Sequence, residues 1–267
     1  LATDGDFNVG ASGDADMERL VEEERKSGVF LTCLGFGMGN YKDSKMETLA
    51  DKGNGNYAYI DNIQEANRMF TKEFGGTLFT VAKDVKLQVE FNPAVVEAYR
   101  LIGYENRILN SEDFKDDAKD AGELGSGHAV TAIYEIIPKG VKRSFVKGVD
   151  SLKYQATELT TQAKEGDEMA MVKTRYKLPE GESSIPFAVV VPFRRGKISS
   201  ASESLRFSSA VAMFGMLLRK SQYKGITTKE QIVNQAKAAR GSDSEGYRAE
   251  FIRLVQAYND KFEAGED

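Results

Sequence analysis

The chain has 267 residues, of which 41% are apolar and 29% charged, with 36 lysines and arginines against 41 acidic residues for a net charge of −5. That length allows two ordinary domains with sizeable cores, and the balance is that of a globular protein rather than a disordered or fibrous one. The signs are mixed without a Lys/Arg stripe, which argues against a nucleic-acid surface, and the longest apolar run, Ala210 to Leu218, is shorter than the roughly 20 residues of a membrane span.

Leu1 enters directly into a strand-to-loop transition with no initiator methionine and no signal peptide, so the natural polypeptide is expected to begin further upstream. DADMERLVEEERKS, Asp14 to Ser27, places Met17, Leu20 and Val21 on one side of a helix with an acidic first turn, and Gly28 stops it. Val29 to Phe36 is an apolar run of the kind found in parallel strands buried on both faces. A short helix is predicted over Lys45 to Lys52, a strand over Asn56 to Ile60, and a helix over Ile63 to Phe74 carrying Ile63, Ala66, Met69, Phe70 and Phe74. Strands alternating with helices over about 75 residues predict an α/β layer with a parallel sheet.

After Gly75 and Gly76 the period changes to two. DVKLQVEF, VVEAYRLIGY, HAVTAIYEII, EMAMVKTRYKL and IPFAVVV read as strands without intervening helices, which predicts an antiparallel, sandwich-like region. NSEDFKDDAKDAGELGSG between them reads as a solvated loop, its Glu112, Asp113, Asp116, Asp117 and Asp120 facing water. From about Ser202 the helical period returns. Phe207, Val211, Phe214 and Leu218 form one stripe, Thr227 and Thr228 are candidate caps for a helix carrying Ile232, Val233 and Ala236, and Tyr247, Phe251, Leu254, Tyr258 and Phe262 form another stripe. The expected divisions are 1–77 for the α/β layer, 78–200 for the β-rich region and 201–267 for a helical segment packing on it.

Cys33 and His128 are each the only residue of their type, so an intrachain disulfide is excluded and any zinc site or Ser-His-Asp triad would draw on one histidine. Cys33 in VFLTCLGF reads as a small apolar residue of a buried strand, and His128 as a turn or edge residue. Gly35, Gly37 and Gly39 follow a strand as a dinucleotide-binding turn would, but the third glycine is misplaced by one position, with Asn40 where it belongs; the acidic residue such a fingerprint asks for would be Asp61. A strand-end turn needing glycine conformations is the simpler reading. Gly241 to Glu245 (GSDSE) has the composition of a helix cap.

The opening LATDGDFNVGASGDAD holds five oxygen-bearing side chains, Asp4, Asp6, Asn8, Asp14 and Asp16. It begins like a calcium loop, but the sixth and twelfth places hold Val9 and Ala15 instead of the required Gly and Glu. Asp6 and Asn8 are read as loop-shaping, Asp14 and Asp16 as starting the helix.

The order of motifs carries a resemblance. LATDG before an amphipathic helix, VFLTCLGFGMG, METLADKGNGNYAYID and NIQEANRMFTKEF resemble the second half of a von Willebrand factor type A domain. VKLQVEFNPAVVEAYRLIGYENR, GHAVTAIYEI and FSSAVAMFGMLLRKS with ITTKEQIVNQAKAARG resemble the C-terminal region of bacterial YfbK-type proteins that carry such a domain, so the resemblance covers nearly the whole chain. It implies a partial type A, Rossmann-like parallel layer, then the antiparallel sandwich-like region and the C-terminal helices. It also implies a metal-ion-dependent adhesion site, built in that family from an Asp-x-Ser-x-Ser loop, a threonine and the aspartate of the Thr-Asp-Gly strand end, holding Mg2+ or a similar divalent cation. Only the last contribution matches: Asp4, flanked by Thr3, Gly5 and Asp6. One carboxylate is far short of an octahedral coordination set, so the chain alone is not expected to bind the ion.

The resemblance implies a non-enzymatic, adhesion-like module of the cell envelope that binds a protein partner through the metal face, and no catalytic constellation is evident in the sequence. Alternatives are a nucleotide- or phosphate-binding enzyme using the Gly35–Gly39 turn, and a structural envelope protein with a degenerate metal site. The family's sheet order puts the Leu1 to Thr3 strand mid-sheet, so its apolar edge is expected to pair with an N-terminal fragment or with another molecule. An extracytoplasmic, lipoprotein-type location is implied by the resemblance, with membrane contact only through an upstream lipid anchor.

Overall fold

A computed structural model of the chain describes residues 1–4, 13–37, 43–104, 108–119, 121–141 and 158–258. The fold is mixed α/β, with a parallel sheet, antiparallel sheets and C-terminal helices. The elements in chain order are β1 (Ala2–Thr3), α1 (Asp14–Arg25), β2 (Cys33–Phe36), α2 (Asp43–Lys52), β3 (Tyr57–Ile60), α3 (Ile63–Asn67), a π-helical turn at Arg68–Lys72, α4 (Phe74–Leu78), β4 (Thr80–Phe91) and β5 (Val96–Ile102). They continue with β6 (Gly122–Gly125), β7 (Ile133–Pro138), α5 (Thr161–Glu165), β8 (Glu168–Lys177), β9 (Ile185–Pro192), α6 (Glu203–Leu218), α7 (Lys229–Ala238) and α8 (Tyr247–Ala257). The chain divides into two compact units, one of residues 1–90, 109–130 and 171–189 and one of 91–108, 131–170 and 190–267, so the β-rich stretch 78–200 contributes to both.

In the first unit β1, β2 and β3 form a parallel sheet in that order. Helices α1 and α2 cover it, burying Cys33, Met46, Leu49 and Ala50 against Met17, Val21, Leu31 and Tyr57. The fully buried Cys33 thiol is held above its usual pKa by that burial, as an inert core residue would be. The turn between α2 and β3 can come close to β2 only without a side chain, because a Cβ on Gly55 would stand 1.9 Å from the Leu31 carbonyl oxygen.

The helix expected over Ile63 to Phe74 is broken. Its first turn is capped by Asn62, whose Oδ1 accepts from the Gln64 and Glu65 amides, but at Arg68 the ladder widens to i+5, with the Glu73 amide donating to the Arg68 carbonyl. The Arg68 guanidinium bridges Glu65 and Glu73, and the i+5 spacing puts Glu73 within its reach. Of the expected stripe only Met69 is buried, while Ile63, Phe70 and Phe74 are exposed, Ile63 by 82%.

The same unit holds most of a four-stranded sheet ordered β6-β4-β8-β9, in which β4 and β6 run antiparallel with two register shifts. Strand β6 was hidden in the stretch read as loop, because GELG has none of the β-branched residues that signal a strand. It forms where α4 comes so close that a Cβ on Gly125 would sit 1.6 Å from the Gly76 carbonyl oxygen.

In the second unit β5 and β7 pair antiparallel, Arg100 opposite Glu135 and Ile102 opposite Ile133. One face of this ribbon stacks Tyr99 and Tyr134 with Phe91 (Phe91–Tyr99 ring centroids 4.3 Å apart). Helices α6, α7 and α8 share a core of Ala210, Leu217, Ile232, Val233, Ala236, Ile252 and Val255, with Phe207, Phe214, Phe251 and Tyr258 packed edge to face. Thr228 caps α7 in a full capping box with Gln231. The apolar stripe of α8 is offset from the one expected: Ile252 and Val255 are buried and Leu254 is 59% exposed, while Phe262 lies outside the described residues.

Candidate functional site at the end of the parallel sheet

The three parallel strands end level. Thr3 pairs with Gly35 and Gly35 with Tyr59, so Asp4, Gly37 and Asp61 follow at one carboxyl edge. Loops leaving that edge of an α/β sheet are where such folds bind ligands, because the next helices start there with their amide groups facing outward. Gly37 turns with φ +89°, a left-handed conformation favouring glycine, and a Cβ added to it would lie 3.8 Å from the Asp4 Cβ. Asp4 itself is exposed and Thr3 half-buried.

Two tyrosines of β3 brace the edge. The Tyr59 hydroxyl donates to the Gly37 carbonyl, and the Tyr57 hydroxyl donates to Asp43 in the first turn of α2. At the end of β3 the Asn62 amide group donates to the Asp61 carboxylate at 2.8 Å. The edge thus carries carboxylates from three separate segments, Asp4, Asp43 and Asp61. That acidic lining disfavours a phosphate, since the first turn of α2 already holds Asp43 as its anion.

Gly5 and Asp6, expected beside Asp4, lie outside the described residues, as do Asn8, Gly39 and Asn40. Helix α1 begins at Asp14 and carries Asp16 in its first turn, 3.4 Å from Arg19, as the sequence predicts. Among the described residues no three His, Cys, Asp or Glu side chains are grouped to hold a metal ion. The described residues therefore do not fit a complete divalent-cation site, and Asp4 stands as a single potential donor. Strand β1 is the end strand of its sheet; its other side has no strand among the described residues, and Leu1 is exposed.

His128 sits in the exposed turn after Gly127, its amide donating to the Gly125 carbonyl. The acidic side chains are solvated as expected, Glu112, Asp116 and Asp117 being exposed and Asp113 half-buried, but the loop's backbone is tied to the sheet. Backbone carbonyls of Asp113 and Asp116 accept from the buried Lys86 ammonium at 3.3 and 2.5 Å, and the Asp117 carbonyl accepts from Lys177 at 2.8 Å. Lys177 also pairs with Asp84 at 2.7 Å, which holds its pKa above the usual lysine value. The Asp117 carboxylate accepts from the Ser184 hydroxyl and amide and from Arg175, and these contacts hold its pKa below the usual range. Asp120 lies outside the described residues. The loop is a strap on the four-stranded sheet, and the signal for it was the lysines set among apolar strand residues rather than the acids themselves.

A model of the family described as "Uncharacterized protein YfbK, C-terminal" matches residues 76–260. The chain is 44% identical over 257 residues to "Uncharacterized protein YfbK" of Escherichia coli (strain K12), a match covering 96% of this chain and 43% of that protein. The chain thus spans less than half the length of this curated relative. Among solved structures, the ArnB paralog VWA2 from Sulfolobus acidocaldarius aligns with a TM-score of 0.39 and 13% identity, over 85% of this chain and 50% of the other. A von Willebrand factor type A protein from Catenulispora acidiphila aligns with a TM-score of 0.35 and 13% identity, over 96% of this chain and 57% of the other.

Proposed function

The chain belongs to the YfbK family, and from that premise we propose that it is part of a protein-interaction module whose contact surface is the carboxyl edge of the parallel sheet. In this reading Asp4 supplies one ligand to a divalent cation, the other ligands come from outside this sequence, and an acidic group of a protein partner takes the ion's open position. The observation that carries the reading is the level ending of β1, β2 and β3, which sets Asp4 beside Gly37 at the edge where α/β sheets bind ligands. In this reading the chain works without covalent chemistry, in the cell envelope, on a polypeptide anchored by an upstream lipid. Among the described residues no helix is long and apolar enough to cross a membrane. The unshared side of β1 pairs with the strand that brings the remaining ligands.

Calorimetric titration of the full-length polypeptide with Mg2+ tests the reading. Asp4 is exposed, so Asp4→Ala leaves the fold intact and weakens the ion by roughly 100-fold or more, since even outer partners of metal ligands contribute 10–100-fold. Equal heats from the parent and the variant refute Asp4 as a ligand.

A further inference from the structure

The second unit contains a cleft of about 500 Å3 between the β5/β7 ribbon and α6, unrelated to Asp4 and its neighbours. Its origin lies in the sequence of α6, whose run AVAMFGMLL is apolar all round. A helix of that kind is buried on all sides or has work for its second face. Ala210 and Leu217 turn into the core shared with α7 and α8, whereas Val211, Ala212, Gly215 and Met216 line the cleft. Opposite them stand Ile102 and Ile133, directly paired across the ribbon. Gly215 forms the floor: a Cβ there would meet nothing within 4 Å.

Both charged side chains lining the cleft among the described residues are cationic, Arg100 and Arg219, and both stand at the C-terminal end of α6. Arg100 is rigidly placed. Its Nε donates to Glu135 at 2.6 Å, its Nη2 to the Met216 sulfur at 3.1 Å, and its guanidinium lies 4.4 Å from the Tyr223 ring centroid. A guanidinium has five N–H donors, so those bonds leave donors for a ligand. Ser221 adds a hydroxyl at the same end. An apolar trough closed at one end by two cations, Arg100 among them held in place by its neighbours, and by a hydroxyl is complementary to one ligand shape, and its volume falls in the range of small-molecule sites.

We propose that this cleft binds a small amphiphilic carboxylate, its hydrocarbon body lying along Val211 and Gly215 against Ile102 and Ile133 and its head on Arg100 and Arg219. The site is independent of the metal-edge reading.

Isothermal titration of the whole chain with decanoate, below its micellar concentration, reads the proposal, with decan-1-ol and decyltrimethylammonium as the uncharged and oppositely charged comparators. Decanoate binds about tenfold or more tighter than decanol, the decrement expected for a charge-assisted contact, and the ammonium amphiphile binds worse than either. Gly215→Leu, at a position with open space and improved helix propensity, fills the floor and weakens decanoate about tenfold or more while the circular-dichroism melt stays folded. Arg219→Gln brings decanoate and decanol to within about threefold of each other, since the head then loses a charged donor. Equal affinity for decanoate and decanol in the parent, or unchanged binding in Gly215→Leu, overturns the proposal. So does an absence of decanoate binding, including the case in which Gly215→Leu instead breaks a dimer by sedimentation, which would assign the cleft to a second copy of the chain.

Discussion

Replacing Lys86 by methionine tests what the acidic loop does. Lys86 is 2% exposed in the middle of β4, and its ammonium donates to the Asp113 and Asp116 backbone carbonyls rather than to a carboxylate. Methionine keeps the apolar stem and volume, so no cavity opens and the core of the sheet is spared. What is lost is one short and one long hydrogen bond from a charged donor; such a bond contributes about 1.5–3 kcal/mol net of its exchange with water, and the long one adds little. The net loosening of the loop is about 2 kcal/mol, a roughly 30-fold rise in local opening. Amide hydrogen exchange reads it directly, because the Ala121 amide donates to the Asp84 carboxylate of β4 at 3.1 Å and the Ser184 amide to the Asp117 carboxylate at 3.4 Å, and both are lost when the strap lifts. Those amides are expected to exchange faster in Lys86→Met while the amides of β2 and β3 keep their rates. Unchanged exchange at Ala121 and Ser184, or a uniform acceleration throughout the first unit, refutes the strap.

The same loop predicts a pH profile. Asp117 is depressed by its bonds from Ser184 and Arg175, so its contribution is present above about pH 4 and is lost as pH falls through the depressed value. Lys177 is raised by Asp84, so its contribution is complete below about pH 10.4 and is lost as pH rises through the raised value. Proteolytic protection of residues 109–119 should therefore fall at both extremes, and a flat profile contradicts the pairings. Gly125→Ala is expected to destabilise the first unit by about 3 kcal/mol or more, because its Cβ would meet the Gly76 carbonyl, backbone against backbone. A melting temperature within about 2 °C of the parent would show that α4 and β6 can separate at little cost.

How much was legible depends on which side of a pattern the information lies. Helices α1, α2 and α7 and strands β2 and β3 were readable because their apolar spacing, caps and stops agree, Thr228 with Gln231 being the clearest case. In α8 two stripes of equal spacing share the inward side: Phe251 and Tyr258 of the expected one pack on Phe207 and Phe214, while Ile252 and Val255 of the other are the buried pair. The π turn depends on Arg68 reaching Glu73 five residues on, a pairing that a 3.6-residue period hides. The edge position of Asp4 follows from strand alternation and could be read. The strap could be read only from its donors, Lys86 and Lys177 set among apolar strand residues, because its acceptors are mainly backbone carbonyls, which are the same in every residue and leave no mark on the sequence.

The order of pairing within the four-stranded sheet sets a schedule for synthesis. Strand β4 ends at Phe91, but its neighbours β6 and β8 begin only at Gly122 and Glu168, so on the ribosome β4 emerges with both edges bare and waits for most of the remaining sheet. Val81, Val85, Leu87 and Val89 make it a template for intermolecular pairing during that interval. Lys83, Asp84 and Lys86 interrupt the apolar run at its middle, where charges act as gatekeepers against such pairing. The ammonium that later latches the strap is thus, in the nascent chain, the charge that keeps one ribosome's product from zipping onto another's.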